Sequence, residues 1–184
     1  NVYIGTEGGL NYTKADGSIG SFMCQNVQAI YAFDDTVYFA AGKNLYAVID
    51  GKISEMQIFE DEIIKMSGTD TVYLITPSYL YQLNEGKFEK YFHAEMIAKD
   101  IAVSGNKIAA ASGDNLILVN GKRKHWMTIY HEHSTMPEFN INCIKFDETL
   151  GFLWLGTDKG AYIYDYKNGW YGNKELNCLP EEEI

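Results

Sequence analysis

Cysteine, proline and histidine are scarce in this chain, at 3, 3 and 4 of 184 residues. Cys24, Cys143 and Cys178 are too few and too far apart for a disulfide framework or a zinc site. They read as free thiols, with a single disulfide as the alternative, and they do not report a compartment. Basic residues are also few: 15 Lys and Arg stand against 25 Asp and Glu, a formal net charge of −10. That balance argues against nucleic-acid binding, which needs basic patches on phosphate. It argues equally against docking on an anionic membrane surface. There is no apolar run long enough for a helical membrane span, so any membrane attachment is expected from segments outside this chain. No P-loop, nucleophile elbow, dinucleotide fingerprint or calcium loop occurs. No helical stripe is convincing. Residues 54–66 come nearest, and they fit a strand followed by a loop equally well.

What the chain does have is tyrosine, 14 of them, in an aromatic content of 14%, and a repeat. Tyr3-Ile4-Gly5-Thr6 matches Tyr38-Phe39-Ala40-Ala41, Tyr73-Leu74-Ile75-Thr76, Ile108-Ala109-Ala110-Ala111 and Trp154-Leu155-Gly156-Thr157. The motifs start at 3, 38, 73, 108 and 154, three intervals of 35 followed by one of 46. Asp50-Gly51, Glu85-Gly86 and Asn120-Gly121 keep the same beat, and such pairs between apolar runs predict two-residue hairpin turns. Polar clusters such as Asp34-Asp35 and Gly105-Asn106 precede the motifs. Each period therefore reads as several short strands separated by turns. In repeat four the return strand at Leu116 arrives one residue late, which predicts a one-residue turn insertion after Ser112. Aromatic or Ile residues open the motif and Gly, Ala or Thr follow, a pattern suited to crowded strands in a radial array. A valine at Gly156 is expected to overpack there. The reading is an all-β fold, a β-propeller of four-stranded blade repeats with four to five periods over residues 1–184.

The ends carry an expectation of their own. Asn1 falls almost on a strand motif, so the first period lacks its leading strand, and residues 175–184 look like the lead-in to a further period. The chain is expected to be a piece of a larger propeller. The alternative is that its two ends complete one blade and close a ring of about five.

Leu153-Trp154-Leu155-Gly156-Thr157-Asp158-Lys159-Gly160, followed by Ala161-Tyr162-Ile163-Tyr164-Asp165, resembles the repeat of the two-component regulator propeller family. Residues 2–12 are a second match, Leu179-Pro180 looks like the segment that opens such a repeat, and the middle three copies keep only the rhythm. The resemblance implies four-stranded blades in the extracellular or periplasmic half of bacterial sensor proteins. Many of these are hybrid histidine kinases of gut bacteria that respond to oligosaccharides. Others carry diguanylate cyclase outputs or are secreted without a kinase. It implies a non-catalytic domain with no cofactor, and any kinase activity would lie outside this chain.

Candidate site residues concentrate in the longest period. About eleven extra residues fall in the insertion, about 120–152, which also holds the basic cluster Lys122-Arg123-Lys124. Longer loops on repeat scaffolds commonly form the binding face. Arg123, His125, Trp126, Tyr130, His131 and His133 are the candidate ligand-binding residues, because aromatic rings with polar neighbours suit sugars or a peptide. The alternative is an elongated hairpin with Trp126 and Tyr130 packed on its blade. If His131-Glu132-His133 forms a strand, its two imidazoles share a face and could hold a metal with Glu138 or His125. An exposed polar loop is the simpler reading, and no metal is assigned. Trp170-Tyr171 and Tyr91-Phe92-His93 read as outer-strand packing. The charge runs at 60–62 and 181–183 read as solvated faces. The functional expectation is a ligand-sensing domain of an extracytoplasmic bacterial signalling protein, with an oligosaccharide or other small ligand, a protein partner or a homodimer as its partners. The alternatives are a protein-binding scaffold of a secreted protein and a module of a carbohydrate-active enzyme.

Overall fold

The computed structural model describes residues 2–14, 16–23, 26–93, 98–120 and 125–172. It divides into two compact units, residues 1–98 and 99–184. The described residues form antiparallel strands and one 3-10 turn, with no α-helix among them.

The first unit holds three sheets. The first is β1 (Tyr3–Thr6), β2 (Gly9–Thr13) and β3 (Ile19–Met23). The second is β4 (Val27–Phe33), β5 (Thr36–Ala41), β6 (Asn44–Ile49) and β7 (Lys52–Ile58). The third is β8 (Lys65–Gly68), β9 (Val72–Ile75), β10 (Tyr79–Asn84) and β11 (Lys87–His93). The second unit holds two. One is β12 (Asp100–Ser104), β13 (Lys107–Ser112), β14 (Asn115–Asn120) and β15 (His125–Tyr130). The other is β16 (Ile141–Phe146), β17 (Leu153–Thr157), β18 (Gly160–Asp165) and β19 (Gly169–Tyr171). In every sheet each strand pairs with its sequence neighbour, so each is a simple meander, the blade of a propeller. The repeated motif occupies the second strand of each four-stranded blade. Residues 54–66 supply the end of β7, a connection and the start of β8.

The turn chemistry explains much of the repeat. Asp50 and Gly51 have φ of 50° and 73°, and Glu85 and Gly86 have 46° and 79°. Two positive-φ residues in succession are the type I′ condition that suits a two-residue hairpin. Asn120 departs from its expected role. It ends β14 and pairs with His125, so the connection spans 121–124, outside the described residues. Repeat four also departs from expectation. Its turn after Ser112 is Gly113-Asp114, two residues like Gly42-Lys43 in repeat two. The extra residue therefore enters before β13.

Threonine in the motif has a defined task. Thr6 Oγ1 donates to Gly9 O at 2.9 Å and Thr157 Oγ1 to Gly160 O at 2.7 Å, each tying the motif strand to its return strand. Thr76 Oγ1 accepts from Tyr79 N at 3.2 Å in the same place. This is side-chain capping of a turn, which favours Thr over an apolar residue. Bulges recur with the period as well. The β6–β7 register shifts between Leu45 and Tyr46, and the β10–β11 register between Leu80 and Tyr81.

Apolar residues between blades form the cores. In the first unit Leu10 and Phe39 are fully buried in the seam between its first two sheets, and Leu45, Ile63, Val72 and Leu74 in the next. In the second unit Ala109, Leu116, Ile141, Leu153 and Leu155 fill the seam. Polar side chains also stitch the blades. Gln57 donates to Phe88 O at 2.9 Å and accepts from Phe88 N at 3.0 Å, so one amide replaces a strand pairing between β7 and β11. In the second unit Asp100 on β12 accepts from Ile144 N on β16 at 2.9 Å.

Candidate functional site

β15 carries most of the described candidate residues, and strand alternation sorts them onto two faces. Trp126, Thr128 and Tyr130 lie on one, His125, Met127 and Ile129 on the other. Ile129 is buried in the second unit's core. Trp126 and Tyr130 keep 52% and 43% of their surface exposed, so they are not packed away on the blade. Four residues apart on one strand face, they stand roughly 13 Å from each other, with Thr128 between. Arg123 lies outside the described residues.

The His131-Glu132-His133 segment follows the exposed-loop reading and not the strand alternative. It forms a 3-10 turn, not a strand. Residues two apart in a 3-10 turn diverge by about two-thirds of a revolution, so the strand argument for two imidazoles sharing a metal does not apply. Among the described residues no group of three His, Cys, Asp or Glu is placed to hold a metal ion. Ser134 Oγ donates to Tyr130 O at 2.6 Å and accepts from Met136 N at 3.1 Å, and Met136 and Phe139 are buried in the core. The insertion is thus not one loop. Its extra length is shared among the 121–124 connection, residues 131–140 and a capped turn at 147–152. In that turn Asp147 Oδ1 accepts from Thr149 N and Leu150 N.

His125 belongs to a cleft on the other face of the blade. The cleft holds about 320 Å³ and is lined by Lys107, Leu118, Val119, Asn120, His125, Met127 and Tyr166. Lys107 pairs with Asn120 and Asn120 with His125, so the three stand in one row across the sheet. The Lys107 ammonium sits 4.5 Å from the centre of the Tyr166 ring and donates to Gly151 O at 3.4 Å. Tyr166 stacks on Phe146 and meets Tyr164 edge-on. Desolvation, with Tyr164 nearby, pushes its hydroxyl above the ordinary phenol value, although 37% of the residue is exposed. Either way it is a neutral donor near pH 7. No sequence motif marked this cleft, because Lys107 and Tyr166 come from different blades.

Trp170 packs on Phe139 and Tyr164, and Tyr91 and His93 contact Tyr73 and Tyr79. These are the outer-strand packing roles expected of them.

No protein-family profile matches the chain, and no curated protein matches it. Solved structures do. Two are of the extracellular domain of BT4673 from B. thetaiotaomicron, described in one as a hybrid two-component system and in the other as a one-component system. The first matches with a TM-score of 0.71, 15% identity, 96% of this chain and 27% of that chain. The second matches with 0.70, 16%, 92% and 25%. The chain thus spans about a quarter of the length of those extracellular-domain chains. The Neurospora crassa Pan2 WD40 domain matches with a TM-score of 0.60 and 10% identity, over 79% of this chain and 49% of that one. At these identities the likeness shows the fold: with its consecutive antiparallel meanders, this chain is an all-β protein of the β-propeller type.

Proposed function

We propose that this chain is a non-catalytic recognition domain of an extracytoplasmic bacterial signalling protein, and that it reads an oligosaccharide. The observation that carries this is the exposed pair Trp126 and Tyr130 on one face of β15. Large aromatics held open to solvent on a rigid strand offer flat stacking faces with little ordering cost. Their separation of roughly 13 Å suits sugars two or three units apart on an extended chain. The fold likeness to an extracellular sensor domain and the Trp-Leu-Gly-Thr repeat at Trp154 support the signalling context. Periplasmic or extracellular placement follows from the same reading.

A glycan-array screen of the chain, with Trp126→Ala and Tyr130→Ala beside it, tests the proposal. Saturable binding to one oligosaccharide class, weakened about five- to thirtyfold in each variant, is expected from the loss of about 1–2 kcal/mol of stacking per ring. Binding that ignores both substitutions would remove β15 from the site.

A protein-binding or dimerising role has one observation of its own. Val2, Ile4 and Ile19 are 60%, 57% and 74% exposed. The register of β1, β2 and β3 puts them on one face of the first sheet. Concentration-dependent mass by light scattering, reduced by Ile4→Lys with Ile19→Lys, would favour that role.

A further inference from the structure

We propose that the cleft between β13–β15 and the turn after β18 is a second, separate binding site, for a small amphiphilic carboxylate with an aryl or medium-chain alkyl body. The argument starts from how the seam between the two blades of the second unit ends. Ala109, Leu118 and Phe146 belong to its buried core. One row further along β13 and β14 stand Lys107 and Asn120, and there the apolar seam opens into the cleft. Leu118 and Val119 line it, Met127 and Tyr166 flank it, and the latter two are 49% and 37% exposed.

The lining specifies the ligand. The cleft's 320 Å³ lies at the small end of ligand sites and equals about ten water-sized volumes, room for a body of about ten non-hydrogen atoms. Its walls are mostly hydrocarbon, which favours burial of an apolar body. The described lining residues include no carboxylate, although the chain as a whole carries −10. Lys107 makes no ion pair with a described residue. Among the described residues its ammonium is held by the Gly151 carbonyl and the Tyr166 ring, so an entering carboxylate gains a charge-assisted hydrogen bond without displacing another described acid. Among the described lining residues Lys107 is the one ammonium, a match for a monoanion rather than a phosphate dianion. A neutral sugar would leave several hydroxyls against Leu118, Val119 and Met127, which costs free energy. The site is therefore independent of the glycan face on the opposite side of β15.

The test follows the Met127 methyl resonance in the full chain during titration with 3-phenylpropionate and, separately, octanoate. At least one acid is expected to shift it saturably, with Kd of about 0.1–1 mM. Lys107→Met, which keeps the aliphatic stem, should weaken binding about tenfold or more, and 3-phenylpropionamide should bind more weakly by a similar factor. Met127→Trp, read by calorimetry, should block the cleft by filling it. Trp126→Ala should leave acid binding unchanged, which separates this site from the glycan reading. The proposal is overturned if neither acid saturates by about 10 mM. It is also overturned if the amide binds as well as the acid, or if Lys107→Met and Met127→Trp both bind like the parent.

Discussion

Asp100 offers the sharpest test of how the blades of the second unit are joined. It is a carboxylate only 2% exposed, at the start of β12. Oδ1 accepts from Ile101 N at 2.8 Å and Oδ2 from Ile144 N on β16 at 2.9 Å. The second of these crosses from one sheet to the next. Asp100→Ala removes both acceptors and leaves two buried N–H groups. Each orphaned donor costs about 1–3 kcal/mol, and loss of bonds to a charged acceptor sits toward the upper end. The expected destabilisation is about 3–5 kcal/mol. Asp100→Asn keeps one carbonyl oxygen but turns an NH2 toward the other donor, so about half that loss is expected. In urea, followed by tryptophan fluorescence, the midpoint should fall for both variants in that order with the slope unchanged. In thermal unfolding the alanine variant should melt at least about 10 °C lower. If Asp100→Ala lies within about 0.5 kcal/mol of the parent, the Ile144 N–H has another acceptor and Asp100 does not join the blades.

Two further predictions rest on other contacts. A side chain at Gly156 would place its Cβ 2.6 Å from Cys143 Sγ, on the residue paired with it across β16 and β17. Gly156→Val should therefore destabilise by about 1–3 kcal/mol. Adding Cys143→Ala should restore most of the loss in a double-mutant cycle; additive effects would show that backbone, not the thiol, is the obstacle. The second prediction concerns acid. The Asn140 side chain and backbone N–H hold the Asp158 carboxyl below its ordinary value, and the Lys167 N–H and Asn168 side chain do the same for Asp165. Depressed folded values mean their contribution is complete above the ordinary aspartate range near pH 4 and disappears as pH falls through the folded values. Urea midpoints compared at about pH 6 and pH 3 should thus drop less in Asp158→Asn/Asp165→Asn than in the parent. An equal drop would assign the acid sensitivity to other carboxylates.

The parts of this molecule that can be read from sequence are those decided by near neighbours. Asp50-Gly51 and Glu85-Gly86 announce their turns because positive φ at two successive residues is a local demand. Thr6 and Thr157 mark strand-to-strand connections because their hydroxyls reach only three residues ahead. Asn120-Gly121 has the same composition, yet Asn120 pairs with His125 and the hairpin is longer. Composition permits the tight turn there, and the register of β14 on β15 overrides it. The same distinction explains His131-Glu132-His133. The strand alternative there needs β15 to run on, whereas Ser134 bonds back to Tyr130 O and Met136 and Phe139 are buried in the core.

Function-bearing geometry is further removed from local pattern. Trp126 and Tyr130 were visible as aromatics, but their exposure depends on which face of β15 meets the core. Ile129 decides that by packing inward, and a slip of one residue would exchange the two faces. The cleft depends on three independent choices: Lys107 opening β13, Met127 on the inward face of β15, and a turn after β18 that presents Tyr166. None of these positions lies within fifteen residues of another in the chain. They meet because strand pairing fixes rows across each blade and blade packing then sets one row against a turn of the next. Repeat scaffolds conserve that frame while single positions on the rows vary freely. Ligand preference on such a fold therefore has to be sought where a row of one blade departs from its counterpart in another, as the row Lys107, Asn120 and His125 does.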